Sequence, residues 1–379
     1  MEKHFENIPE NWQIVNLEKL GKCINGLTYS PDDIRETGSL VLRSSNVQND
    51  FITYDDNVYV REDLKFNPTH NGDILICVRN GSRNLIGKTA RITENSANNA
   101  FGAFMTIYRS DENDFLNYFF KSSFFFREVH KNLGATINSI NNADLVKFKV
   151  ALPTEKERKA IADCLSTWDD AIEKQTKLIA AKQQRKKALM QQLLSGKKRL
   201  PGFTEAWKNY TLGSLGSTFN GLTGKNKEDF GEGQPFITYL NIFQNPVIDI
   251  STFDLVKINL GERQNRVKYG DIFFTVSSET QDEVGMASVL LQDVEDLYLN
   301  SFCFGYRLHN FDTLLPEFSS YFFRAYNFRK ELFKLSQGAT RYNLSKNNLM
   351  LVEISVPNVK EQKLISDILF TAEKEISAE

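Results

Sequence analysis

A chain of 379 residues is longer than one hydrophobic core usually supports, so at least two domains of ordinary size are expected. Hydrophobic residues at 41% and charged residues at 25% exclude a disordered or membrane-embedded class, and no stretch approaches the ~20 uncharged apolar residues of a membrane span. A formal net charge of −2, with a pI near 6.2, excludes a chain that holds nucleic acid by bulk positive charge alone.

The start, Met1-Glu2-Lys3-His4, carries no signal-peptide hydrophobic region, and Pro9-Glu10-Asn11-Trp12 leads into a first lobe predicted over 1–152. Within it, β-rich runs at 74–78, 104–108 and 148–152 alternate with Asn-, Ser- and Gly-rich turns. One Phe-rich helix is predicted over 115–133, its aromatics at helical spacing reading as core. From Thr154 to Ser195 there is no Gly and no Pro, and Ile161, Leu165, Trp168, Ile172, Ile179, Leu189 and Leu193 fit a heptad seam interrupted by Gln175, Lys182 and Lys186. Thr154 is the predicted N-cap, with Glu157 at the third helical position and Gly196 as the stop. Such a helix would be about 60 Å long, a central spacer over 153–199. A second lobe follows over 200–356, with β-rich runs at 272–276, 302–306 and 353–356 and a Phe-rich helix over 318–336. A second Pro-led helix occupies 357–379 and, ending at Glu379, reads as a shortened spacer.

The order of these elements is a repeat. Trp12, Leu17, Leu20, Gly21 and Asn25-Gly26-Leu27-Thr28 return as Trp207, Leu212, Leu215, Gly216 and Asn220-Gly221-Leu222-Thr223, at one offset of 207 − 12 = 195. Gly72-Asp73-Ile74, Tyr118-Phe119-Phe120, Gly134-Ala135-Thr136 and Pro153 return as Gly270-Asp271-Ile272, Tyr321-Phe322-Phe323, Gly338-Ala339-Thr340 and Pro357. A period near 200 is too long for a solenoid unit of roughly 20 to 50 residues, so the chain is a duplicated α+β domain with a pseudo-two-fold internal repeat. A helix with an apolar seam needs a partner. The other copy supplies it as an antiparallel coiled coil joining and separating the lobes, with Leu165, Trp168, Ile172 and Ile179 buried against Ile365 and Leu369. From Lys174 to Arg199 there are nine Lys or Arg and no acid. Lys182 and Lys186, on the seam beyond the predicted reach of the shortened copy, are assigned with Leu189 to a neighbouring subunit.

The search for chemistry is negative. There is no Gly-x-x-x-x-Gly-Lys-Ser/Thr, His-Glu-x-x-His, Gly-x-Ser-x-Gly or Gly-x-Gly-x-x-Gly, and none of the four histidines has a counterpart in the other copy. Cys23, Cys77, Cys164 and Cys303 form no Cys-x-x-Cys pair, which predicts reduced core thiols in a cytoplasmic chain without a metal site. No catalytic residue is assigned.

What diverges between the copies is the loops beside the repeated residues. In the first lobe these carry Thr28, Tyr29, Arg43, Ser44, Asn46, Arg79, Asn80, Ser82, Arg83, Asn138 and Asn141. In the second they carry Thr223, Lys225, Asn226, Tyr239, Asn241, Ser277, Ser278, Gln281, Arg341, Tyr342 and Asn343. These are the side-chain types that hydrogen-bond base edges and phosphates. Two similar platforms with different polar loops would read two different short sequences; the competing class is a non-catalytic protein–protein scaffold with two binding lobes.

Lobe, Pro-led heptad helix, Lys-rich tail, Leu200-Pro201-Gly202-Phe203 with Trp207, second lobe, second Pro-led helix: this arrangement resembles the specificity subunit of type I restriction-modification systems over nearly the whole chain. The resemblance implies a non-catalytic, DNA-binding subunit whose two target-recognition domains each bind half of an interrupted double-stranded target. It implies spacer helices that fix the gap and dock two methyltransferase subunits, with restriction subunits joining that core. It also implies that S-adenosylmethionine, ATP and Mg belong to those partners and that this chain binds no cofactor.

Overall fold

The computed structural model describes residues 8–133, 138–281, 283–336 and 341–378, and the chain divides into two compact units, Met1–Glu173 and Lys174–Glu379. The repeated Gly-Ala-Thr motifs, Ile137 and Asp282 lie outside the described residues.

In the first unit, Gln13–Asn16 pairs antiparallel with Lys149–Leu152, clasping the entry of the unit to its exit. A four-stranded antiparallel sheet runs in the order Lys22–Asn25, Met105–Arg109, Ile74–Cys77, Thr89–Arg91. Ile74–Cys77 is apolar throughout because both its faces are covered. Side-chain alternation sends Ile74 and Ile76 into a cluster with Tyr108, Phe120, Phe125 and Val129, and Leu75 and Cys77 into one with Leu42, Phe101 and Ile107. The helices Asn113–Phe120 and Ser123–Asn132 contribute Phe120 and Phe125 to the first cluster, their rings packed edge to face at 5.0 Å. A smaller sheet, in which Ser39–Leu42 pairs parallel with Ala100–Phe101, contributes to the second.

The second unit repeats this plan. Lys208–Thr211 pairs with Glu353–Val356, and a sheet runs Gly216–Asn220, Cys303–Leu308, Ile272–Thr275, Ala287–Val289, in the same order as before. Phe230–Ile237 pairs parallel with Tyr298–Leu299. Each predicted β-run is matched by a strand within two residues. The single Phe-rich helix predicted in each lobe is two: the break falls at Ser122, whose hydroxyl caps the helix Ser123–Asn132 by accepting from Phe125 N–H, and between Pro316–Phe322 and Tyr326–Leu335. Of the predicted core thiols, Cys77 and Cys303 are buried and Cys23 partly so; Cys164 is exposed, on the long helix.

The repeated residues have common physical tasks. Asp73 and Asp271, 2% and 1% exposed, each receive two hydrogen bonds from an arginine on the neighbouring strand, Arg109 (2.7 and 2.7 Å) and Arg307 (2.7 and 2.6 Å). The same carboxylates accept backbone N–H groups from His70 and Lys268. The buried phenols of Tyr108 and Tyr306 donate to the carbonyls of Leu17 and Leu212, both at 2.7 Å. A Cβ on Gly21 or Gly216 would collide with the carbonyl of that same Arg109 or Arg307, and one on Gly26 or Gly221 with the carbonyl of Gly102 or Asn300.

The long helix spans Glu155–Leu193, 39 residues, and starts as the sequence predicts: Thr154 N–H and hydroxyl both donate to the Glu157 carboxylate. It stops before Gly196, at φ +68°. Its second copy is the 19-residue helix Val359–Ser377, capped by Asn358. The structure departs from the predicted seam. Ile365 and Leu369 are buried with Leu193 and Leu194 in the second unit's own core, while Leu165, Trp168 and Ile172 are 37%, 65% and 62% exposed. The register explains it: the helices run antiparallel with Lys186 Nζ 2.8 Å from Glu373 and Lys182 Nζ reaching the Glu375 carbonyl, so Leu189 and Leu193, rather than Trp168, meet the second copy. The basic run is correspondingly engaged within the unit, Arg199 making a bidentate pair with the buried Glu361 (2.7 and 2.9 Å). Lys182, Lys186 and Leu189 therefore pack this unit together; the second helix does reach them.

The paired carboxylates give a stability prediction. Replacing Asp73 or Asp271 by Ala leaves a partly buried guanidinium without its carboxylate and should lower the unfolding free energy by roughly 2–4 kcal/mol, the partial hydration of both arginines keeping it below the deepest buried pairs. Urea denaturation of the single variants tests this, and a loss below about 0.5 kcal/mol, the scale of an ordinary surface substitution, would show that the pair anchors nothing.

Candidate functional site

In the first unit, the strand Ile74–Cys77 delivers the chain into the loop 79–84. Arg79 forms an antiparallel bridge with Ser139, Asn80 N–H donates to the Asn138 carbonyl (3.3 Å), and the Asn138 side chain donates to the Gly81 carbonyl (3.0 Å). Asn80 Nδ2 then donates to Ser44 Oγ (3.0 Å), tying this edge to the 43–46 loop. Thr28, Tyr29, Arg43 and Ser44 line one cleft of about 520 Å³, together with Ile34, Asp56, Phe104 and Met105. The structure thus assembles residues 28–29, 43–44, 79–80 and 138 on one edge. Arg43 is ion-paired to Asp56 (2.9 Å), yet its Nε is buried without a hydrogen-bond partner, as is Ser45 Oγ. Arg79 lies over the Phe104 ring at 5.6 Å, and Ser82 and Arg83 are exposed on the same loop.

The second unit builds the corresponding edge from different side chains. Ser277–Ser278 pairs with Tyr342–Asn343, the counterpart of the Arg79–Ser139 bridge. Tyr239, at the start of the helix Tyr239–Gln244, donates its hydroxyl to the Ser277 carbonyl (3.1 Å). Burial pushes that phenol's pKa up, so it remains a neutral donor. Arg341 and Asn343 are exposed beside it, and Gln281 donates to the Phe333 carbonyl (3.0 Å). Thr223 is held by reciprocal bonds between its backbone and the side chain of Gln264, a residue the sequence reading did not single out.

Several assigned residues shape these loops, Asn46, Asn241, Ser278 and Lys225 from buried or half-buried positions and Asn141 and Asn226 while remaining exposed. Asn46 and Asn241, 0% and 4% exposed, spend their amides on loop groups: Asn46 on the Thr53 and Asp56 carbonyls, Asn241 on the Asp249 carbonyl and the Thr252 hydroxyl. Ser278 is buried and donates to Glu283. Asn141 caps a short helix by accepting from Asp144 N–H, and Asn226 N–H donates to Asp229. Lys225 is pinned at 4% side-chain exposure between Glu262 (2.6 Å) and the Lys257 carbonyl (2.5 Å); Lys225, the Asn259 N–H and Gln264 hold the Glu262 carboxyl down at about 2. Their common signal in the sequence is weak, because a polar residue in a turn reads alike whether it bonds its own loop or a ligand.

Among the described residues, no three His, Cys, Asp or Glu side chains converge to hold a metal ion, and no helix is long and apolar enough to cross a membrane. Comparison with known proteins adds the family. Residues 9–183 and again 204–379 match the type I restriction modification DNA specificity domain. The chain is 25% identical, over 94% of its length and 80% of the relative's, to the type I restriction enzyme EcoKI specificity subunit of Escherichia coli K12. It is 26% identical, over 95% of its length and 86% of the relative's, to the putative type I restriction enzyme MjaX specificity subunit of Methanocaldococcus jannaschii. Its fold is similar to that of the crystallised type I restriction-modification S subunit from M. genitalium, with a TM-score of 0.57 and 16% identity over 98% of this chain and 92% of that one. With one copy of that domain in each of its two similarly built units, this chain belongs to the type I restriction-modification DNA specificity family.

Proposed function

We propose that this chain is the sequence-reading subunit of a type I restriction-modification complex and that each unit reads one half of a bipartite, interrupted double-stranded DNA target. The observation that carries this reading is that one frame, anchored by Asp73–Arg109 and again by Asp271–Arg307, presents two different edges: Arg43, Arg79, Asn80 and Asn138 in one unit, Tyr239, Ser277, Arg341 and Asn343 in the other. The arginine of such an edge suits bidentate contact with guanine, and amides and hydroxyls suit the other major-groove patterns. The subunit itself carries no chemistry in this reading. Methyltransferase subunits bring S-adenosylmethionine, restriction subunits bring ATP and Mg, and the former dock on the helices, where Leu165, Trp168 and Ile172 leave a row of exposed apolar side chains. Methylation mapping in cells expressing the subunit with its cognate methyltransferase tests the proposal: one bipartite motif is expected, and random or absent methylation would overturn it.

Two variants test its parts. Replacing residues 277–281, or 341–345, with the corresponding loop of another member of the family should change one half of the methylated motif and leave the other half and the gap unaltered; a change in both halves would mean that the units do not read independently. Trp168→Ala should leave the isolated chain's stability within about 0.5 kcal/mol, since the indole is exposed, but weaken co-purification with the methyltransferase. An unimpaired assembly would remove this face from the docking surface.

A further inference from the structure

Phe104 and Phe302 occupy the same place in the two units, 198 residues apart like Asp73 and Asp271, each just before the strand that carries the anchoring arginine. Both rings are exposed, 56% and 65%. Neither is required by its turn, because the local work is done by backbone: Val78 and Arg79 N–H donate to the Phe104 carbonyl (3.0 and 3.1 Å) and Val276 N–H to the Phe302 carbonyl (3.1 Å). Any residue's carbonyl could accept those bonds. A single exposed phenylalanine needs no explanation. Two at equivalent positions do, since their neighbours have diverged: Gly102-Ala103 against Asn300-Ser301 before them, Arg79 against Ser277 across the loop. Both sit in the middle of the candidate reading edges. Phe104 lines the cleft with Tyr29 and Arg43 and carries the Arg79 guanidinium over its ring, and Phe302 holds the residue before Ser277.

We infer that Phe104 and Phe302 are paired apolar contacts to the DNA duplex, one in each half-site, that supply affinity without discriminating sequence. The inference rests on the function proposed above. A side chain that read a base would differ between the units as the loops around it do; a side chain kept in both serves what the half-sites share, the apolar deoxyribose carbons that line the grooves. Carrying no charge, it displaces no counterion from the phosphates, so its contribution is independent of salt.

The experiment uses the complex of this chain with its cognate methyltransferase and a duplex bearing the sequence found by methylation mapping. Phe104→Ala and Phe302→Ala should each weaken binding roughly tenfold, the scale of half-burying one phenylalanine. The slope of log affinity against log salt and the methylated motif should be unchanged, and Phe104→Leu and Phe302→Leu should retain most of the affinity. Melting temperatures equal to that of the unsubstituted chain would confirm that the half-exposed rings are not holding the fold. A changed base in one half of the motif would overturn the inference by making the ring a reader. Unaltered DNA affinity would overturn it too, and weakened assembly alongside would assign the rings to a protein contact. A complex without sequence-specific binding before any substitution is made would instead sink the proposed function, and this inference with it.

Discussion

A carboxylate buried at one end of a short strand governs where each unit places its variable loops. Asp73 precedes Ile74–Cys77 and grips Arg109, the last residue of the neighbouring strand, with Tyr108 opposite Ile74 and Met105 opposite Cys77. Moving the strand by one residue would break the two-point grip and turn every apolar side chain to the wrong face. The strand's other end therefore emerges at one position, and Arg79 and Asn80 emerge with it. The same construction in the second unit, Asp271 with Arg307, delivers Ser277.

This arrangement separates stability from recognition. The central strands are buried on both faces, so substitutions there are penalised by lost packing. The loops at their ends are tied to each other by single neutral hydrogen bonds such as Asn80 to Ser44, each worth about 1 kcal/mol net. A frame of this kind tolerates exchange of its edge. Within the edge, Asn46 and Asn241 hold the loop shape in both units from beneath, and the side chains above them differ.

The helices divide their surface in a similar way. Near its start the long helix is fastened to the first unit by Arg158 on Glu112 (2.6 and 2.7 Å) and by Asp169 accepting from Tyr118 (3.2 Å). At its end Leu189, Leu193 and Lys186 are fastened to Val359–Ser377 within the second unit. Leu165 and Trp168, between Arg158 and Asp169 along the helix, stay exposed.

The duplication, the α+β class, the strands, the capped start of the long helix and the repetition of Gly-Asp-Ile were legible in the residues themselves, because motif spacing and side-chain periodicity are properties of the chain; that the aspartate grips Arg109 or Arg307 was not. The edge residues were legible only as a class. Whether Asn46 faces outward, whether Lys225 is free, and whether Trp168 or Leu189 meets the second helix depend on which partner each finds in three dimensions. Asn46 found the Thr53 and Asp56 carbonyls, Lys225 found Glu262, and a single ion pair, Lys186 with Glu373, marks a register that heptad spacing alone allows at several positions. Sequence spacing determined which elements exist and that they occur twice. Tertiary structure decided which polar groups are spent inside and which remain to be spent on a partner, because a hydrogen bond depends on a distance that no spacing along the chain encodes.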